Sequence, residues 1–298
     1  MATSGTGMAE RAAAPQDALN ARTPPRASNE ATPPSAWTDA APRSARWRLA
    51  PLRAIAVPAL LLGALEWYAR TLGANSDALA PPSAAAKAFV KAVADGSLFT
   101  ATAFTLQAAA LGLGLGALLG VGFGIVLGLS QRAAAAGFLS VEFLRPIPSV
   151  ALIPISMLVF GFGLRMELSV VAFATFWPLL ILTQAAVRQV EPRLLEVAAA
   201  LQLGVWDRTW KIVLPAVLPR LFVALRLGVA IALVVAVTVE IAANPNGMGY
   251  ALMISQQSLD PALMLAWLFW IGVVGVAINT LATRLQRYAA KRMGEPIA

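Results

Sequence analysis

The chain of 298 residues contains no cysteine and no histidine. Their absence excludes thiol nucleophiles, disulfides, thiolate or imidazole metal sites and His-based acid–base chemistry. A Ser–His pair is impossible, and no Gly-x-Gly-Asp appears that would suit an intramembrane aspartyl protease. No Gly-Lys pair occurs either, so there is no phosphate-binding Walker A sequence. Neither a catalytic centre, a cofactor nor a metal is expected. Charge is scarce: 13% of residues are Asp, Glu, Lys or Arg, against about 25% in soluble domains.

What is present is apolar. Hydrophobic residues make up 58% of the chain and the mean hydropathy is +0.70, which reads as a polytopic, all-α membrane protein. Residues 1–50 are rich in Ala, Pro, Ser, Thr and Arg and poor in Leu, Ile, Val and Phe, so they are expected to form a disordered tail. They carry no early apolar stretch of the kind a secretory signal needs. Residues 51–290 form the membrane domain, and 291–298 a short C-terminal tail. A bilayer core needs about 20 helical residues, and six spans are placed at 54–72, 101–129, 146–163, 168–187, 217–242 and 262–283. The third carries Pro146, Pro148 and Pro154 and is expected to pack inside the bundle. Trp67, Tyr68, Trp267, Trp270 and Tyr288 lie near span ends, as interfacial anchors do.

The net charge of +8 resembles a nucleic-acid signal, but its placement follows a bilayer instead. With the N-terminus inside, all but Arg70, Lys87, Lys91 and Arg165 of the 23 basic residues fall on the cytoplasmic side. The positive-inside bias therefore predicts both termini in the cytoplasm.

The orientation also puts a structured cassette, residues 191–215, in the cytoplasm. Pro192 suits a first helical turn, Gly204 and Asp207 a break and a new N-cap, and Pro215 a further boundary. Leu194, Ala198, Leu201 and Val205 share one helical face. Such a loop needs a protein to dock against. In its residues it resembles the loop of ATP-binding-cassette (ABC) importer permeases, Glu-Ala-Ala-x3-Gly-x9-Ile-x-Leu-Pro. Glu196, Ala198, Ile212, Leu214 and Pro215 fall on that pattern in register; Val197 and Gln202 depart from it, at a motif Ala and the motif Gly. In that family the loop is the coupling helix that docks into the ATPase, a role the resemblance implies for Glu196, Ala198, Leu201, Gln202, Gly204, Ile212, Leu214 and Pro215. Gly204 is expected to supply the bend that Gln202 does not.

Gly112, Gly116, Gly120, Gly124 and Gly128 recur at four-residue steps along the second span. They form a small-residue stripe on one face, where another backbone can approach. Three carboxylates lie in or near spans, where charge is costly. Glu66 reads as interfacial and Glu142 as the partner of Arg145; Glu240 reads either as a pathway or gate residue, together with Gly247, Gly249 and Tyr250 of the loop after it, or as a packing residue. Glu240 followed by Gly247-x-Gly249-Tyr250, with Arg145-Pro146-Ile147-Pro148 and Phe160-Gly161-Phe162-Gly163, resembles the nitrate, sulfonate and taurine branch of these permeases. The resemblance spans residues 54–290. It implies a type I importer architecture in a bacterial inner membrane and a homodimer of this chain. It also implies two cytoplasmic ATPase subunits, an extracytoplasmic binding protein and a small anionic solute. An ion-coupled secondary transporter is the alternative; it leaves the cassette unexplained, and no clear internal repeat supports it.

Overall fold

A computed structural model describes residues 50–71 and 79–293. The N-terminal tail before residue 50 and the last five residues lie outside them. Every regular element among the described residues is helical: α1 Ala50–Thr71, α2 Pro82–Ala94, α3 Ser97–Leu129, α4 Gln131–Leu144, α5 Ile153–Phe160, α6 Leu164–Arg188, α7 Pro192–Ala200, α8 Val205–Arg208, α9 Leu214–Ala242, α10 Gly247–Gln257 and α11 Pro261–Arg292. A 3-10 turn at Ser149–Leu152 precedes α5, and a π-helical turn at Thr209–Val213 joins α8 to α9. The C-terminal tail expected from residue 291 begins inside α11.

Long apolar runs make long helices here because lipid offers the backbone no other hydrogen-bond partner. Four helices among the described residues, α3, α6, α9 and α11, are long and apolar enough to cross a bilayer; the bent pair α4 and α5 makes a fifth if it counts as one span.

The glycine stripe of α3 lies on α6. Cβ atoms built at Gly112, Gly124 and Gly128 would stand 2.6 Å from a side-chain carbon of Val171, Thr183 and Val187 respectively. One at Gly120 would meet the Phe176 carbonyl oxygen at 2.7 Å, and one at Gly116 would run into Thr175. The contacts advance together along both helices, so α3 and α6 are parallel over about 24 Å. For two parallel neighbours the chain between them must run back, and α4 and α5 are that chain.

That return is where the expected third span differs. It is not one helix over 146–163. Pro146 and Pro148 stop α4: Arg145 still has helical dihedrals, but the prolines after it have no N–H with which to continue the helical hydrogen bonds. The chain then turns by 85° into the 3-10 turn and α5. Pro154 sits in the first turn of α5, where its missing N–H costs nothing. At eight residues, α5 spans only about 12 Å, so a crossing must include α4. Nor is α5 enclosed by its own chain: Ile153 and Ser156 are buried on α6, whereas Leu158 is 84% exposed. Gly161 and Gly163, at φ 71° and 109°, make the tight turn into α6.

Helix α9 runs back against α6 and α3. Ala109, Val170, Val171, Ala232, Ala236 and Val239 form the core they share. At one end, α2, α10 and α11 close over α3 around Leu98, Met248 and Trp267. Trp267 is therefore a core residue, and Trp270 donates its indole N–H to Thr102 Oγ1 at 2.7 Å. Both thus pack within the chain, Trp267 buried and Trp270 half-buried, whereas Trp67, Tyr68 and Tyr288 are exposed.

Filling the stripe tests this packing. Gly120→Leu puts a side chain into backbone and should cost about 3 kcal/mol or more. Gly114 has nothing within 4 Å, and Gly114→Leu should stay within about 0.5 kcal/mol. Denaturant unfolding of both variants in detergent checks it, and equal losses would refute the stripe as a packing face.

Candidate functional site

The cassette begins at the end of α6. Pro192 opens α7 in its first turn. Leu195, Val213, Leu214 and Val217 pack with Ala186 and Val187 of α6 and with Val190 just after it, so the cassette is fixed to the ends of both α6 and α9. Ala198 is 1% exposed. It faces its own chain, not a partner, because its small side chain lets α7 lie down on the turn before α9. Of the face drawn through Leu194, Ala198, Leu201 and Val205, only the three larger residues are exposed. Glu196 is exposed beside Val197; Ile212 and Leu214 are half-buried; Pro215 lies in the first turn of α9.

The turn after α7 belongs to Gln202. Its φ is 50°, in the left-handed region. Gln202 N donates to Ala199 O at 2.9 Å, and Leu203 N to Ala198 O at 3.0 Å. This is the paired bonding of a Schellman cap, which favours glycine at that position. The family pattern has glycine there, and this chain makes the same turn with a side chain in place. Gly204 does not supply the bend: its φ is −61°, an extended conformation that any residue adopts, and it precedes α8 as the N-cap. Asp207 is not a cap either; it lies within α8 and pairs with Lys211 at 2.8 Å. Sequence reasoning passed over Trp206 and Trp210, which are 74% and 52% exposed with ring centroids 5.6 Å apart. Exposed paired indoles beside the motif were a readable signal.

At the opposite end of α9, Glu240 is fully buried. Its Oε2 accepts the backbone N–H of Gly249 at 2.8 Å, in the first turn of α10, where the unpaired amides favour an anion. Gly247, at φ 92°, leaves room for that carboxylate, since a Cβ there would run into it. Thr105 Oγ1 accepts from Met248 N at 3.0 Å and ties the same turn to α3. The sequence left Glu240 open between pathway and packing; within one chain its carboxylate is enclosed and bonded to the first turn of α10. Tyr250 alone of this group reaches open space, lining two cavities of about 430 and 350 Å³. A second buried carboxylate, Glu167 on α6, was missed because it follows Arg165 and reads as loop charge. Its Oε2 accepts from Asn244 Nδ2. The second oxygen of each glutamate has no partner among the described residues.

The remaining carboxylates are local. Glu66 accepts from Ser83 N at 2.9 Å and Ser83 Oγ at 2.7 Å, and pairs with Arg70, so it fastens α1 to the start of α2. The expected pair of Glu142 with Arg145 is not formed; no ion pair among the described residues includes either. No cluster of metal-ligating side chains occurs among them.

Comparison with known proteins agrees in one direction. Residues 112–295 match the family model described as binding-protein-dependent transport system inner membrane component. The aliphatic sulfonates transport permease protein SsuC of Bacillus subtilis is 28% identical over 246 residues, 83% of this chain and 89% of that protein. The taurine transport system permease protein TauC of Escherichia coli is 25% identical over 84% of this chain and 94% of that one. In structure, the fold resembles a chain of the inward-facing MetNI methionine ABC transporter, with a TM-score of 0.54 at 18% identity, covering 62% of this chain and 92% of that one.

Two substitutions follow from the geometry. A left-handed non-glycine residue costs about 1 kcal/mol, so Gln202→Gly should stabilise the fold by up to that amount while Gln202→Val destabilises it. A melt in which Gln202→Gly is the less stable would contradict the assigned turn. Glu240→Gln keeps an acceptor for Gly249 and should cost no more than about 1 kcal/mol, whereas Glu240→Ala strands that amide and opens a void, at about 3 kcal/mol. Detergent unfolding and solute uptake by both variants check this; loss of uptake by a fully stable Glu240→Gln would favour the pathway role.

Proposed function

This chain belongs to the family of binding-protein-dependent transport system inner membrane components, and we propose that it is the membrane-spanning permease subunit of an ATP-driven importer. The family match over the greater part of the chain is the observation that carries this reading over a secondary transporter. The solute is a small oxyanion, such as a sulfonate, taurine or nitrate, by analogy with relatives named for aliphatic sulfonates and taurine. The chain works as a transport component; ATP hydrolysis is supplied by a separate cytoplasmic subunit, and the solute is delivered by an extracytoplasmic binding protein. A homodimer in a bacterial inner membrane encloses the path.

Six crossings per chain fit the helix directions. Helices α3, α6 and α11 run one way, and α9 and the α4–α5 pair run the other. The bond of Glu66 to Ser83 places the end of α1 beside the start of α2, which leads into α3, so α1 supplies the first crossing. With both termini in the cytoplasm, residues 191–215 face the ATPase.

The docking surface is the exposed part of the cassette: Leu194, Glu196, Val197, Leu201, Val205, Trp206 and Trp210. When the ATPase pair closes on ATP, the movement enters through these residues. It passes to α6 and α9 through the packing of Leu195, Val213 and Leu214, and the path alternates from inward- to outward-facing. Glu196→Lys reverses a charge at the docking face without touching a span. Uptake and solute-stimulated ATP hydrolysis should then fall together by about tenfold or more, at unchanged membrane levels, when the chain is expressed with the ATPase and binding protein encoded with it. Normal uptake of labelled taurine, alkanesulfonate and nitrate by that variant would remove the coupling role; no uptake of any of these by the wild-type complex would remove the substrate class.

A further inference from the structure

We propose that an open cleft between the C-terminal ends of α3 and α6, walled by α4 and α8, binds an amphiphilic anion: a sulfonate or phosphate head group carrying an apolar tail. The cleft holds about 910 Å³ and gathers Arg145, Arg188 and Arg208 against one carboxylate, Glu142. The three guanidinium groups come from three separate elements. None of them forms an ion pair among the described residues, and Arg208 Nε is buried without a hydrogen-bond partner. Gln131 and Gln184 add amide groups to the lining. Guanidinium forks without ion-pair partners, lining one cleft, suit the oxygens of a sulfonate or phosphate.

A second cavity of about 410 Å³ adjoins the first and shares Arg145 and Ile181 with it. Its lining is apolar and includes Phe173, Trp177, Leu227 and Ile231. The Trp177 indole N–H is buried there with no acceptor. Arg145 thus stands between a charged compartment and an oily one, which is the outline of an amphiphile. Scattered arginines at a cytoplasmic membrane face need no ligand, and the positive-inside bias would account for them. Arg220 illustrates that ordinary fate, donating to the Ala186 carbonyl outside the cleft. The three in the cleft converge on one concavity and lack such partners.

The head group could reach the cleft on a phospholipid of the inner leaflet or on a soluble alkanesulfonate. The lipid source requires only the membrane-spanning fold, while the solute source rests on the importer reading above. Full-length protein is purified in neutral detergent, stripped of lipid, and titrated calorimetrically with 1-octanesulfonate, methanesulfonate and short-chain phosphatidylglycerol. At least one of the two tailed anions should bind, with methanesulfonate at least about tenfold weaker. Arg145→Gln with Arg188→Gln should weaken the tailed anion by at least about tenfold per guanidinium lost. Both side chains are exposed, so the fold should hold; single Arg188→Gln carries the test if it does not. Binding of phosphatidylglycerol that octanesulfonate fails to displace identifies a lipid site, and binding of octanesulfonate alone identifies a solute site. Failure of the wild type to bind either tailed anion, or equal binding by the arginine variants, overturns the proposal. Co-purification of the ATPase in the same preparations reports on the importer reading separately.

Discussion

Helices α3 and α6 approach closely because glycine recurs every fourth residue along the α3 face that meets α6. In lipid, apolar side chains gain nothing by leaving one hydrocarbon surface for another. Helix association there depends on contact area and close approach, which small residues provide. Glycine costs a helix about 1 kcal/mol relative to alanine in water, a sacrifice that makes sense only where the close approach is used. The consequence reaches beyond the pair. Two helices locked in parallel oblige the chain to travel back between them, along α4 and α5 with the Pro-rich bend from Pro146 to Pro154 between and into them. A straight hydrophobic helix there would have needed a full membrane-crossing length that the sequence does not give it. The bent α4–α5 pair is the solution, and it leaves one face of α5 without a partner in its own chain.

The far end of the bundle is fastened differently. Glu240, Asn244 and Glu167 bring polar groups into a fully enclosed place. A carboxylate so placed is tolerable only where it finds fixed donors, and the Gly249 amide is one. The α9–α10 turn is thereby held to α3 through Thr105 and to α6 through Glu167.

Much of this was legible in the sequence because lipid imposes simple rules. Run length located α3, α6, α9 and α11, and four-residue glycine spacing located the face of α3 that lies against another helix. The motif register located α7 and the boundary at Pro215. What was not legible depended on direction. Ala198 and Leu201 look equivalent on a helical wheel, yet one faces the chain and the other faces outward, and only the fold of α7 onto the turn before α9 decides which. The same holds for Trp267 and Trp270, whose place near a span end is the same whether they anchor in headgroups or pack on α3. Gln202 was misjudged for another reason. Glycine permits a left-handed turn, but its absence does not forbid one when two backbone hydrogen bonds repay the strain.

The two fastened ends give the domain a mechanical form. At the cassette end, Leu195, Val213 and Leu214 join α7 to α6 and α9 together, so a push on the cassette displaces both helices at once. Helix α6 cannot move independently of α3 without opening the glycine contact, and the α9–α10 turn resists movement at the other end. What remains free is the group formed by α3, α6 and α9, moving as one body, and the bent α4–α5 return, which packs on one side only. A close-packed interior changes between discrete arrangements more readily than it deforms continuously. If the cassette couples as proposed, movement entering at the exposed residues of α7 and α8 would be expressed where packing is thinnest, along α4 and α5, and α4 is also the wall that brings Arg145 to the cleft.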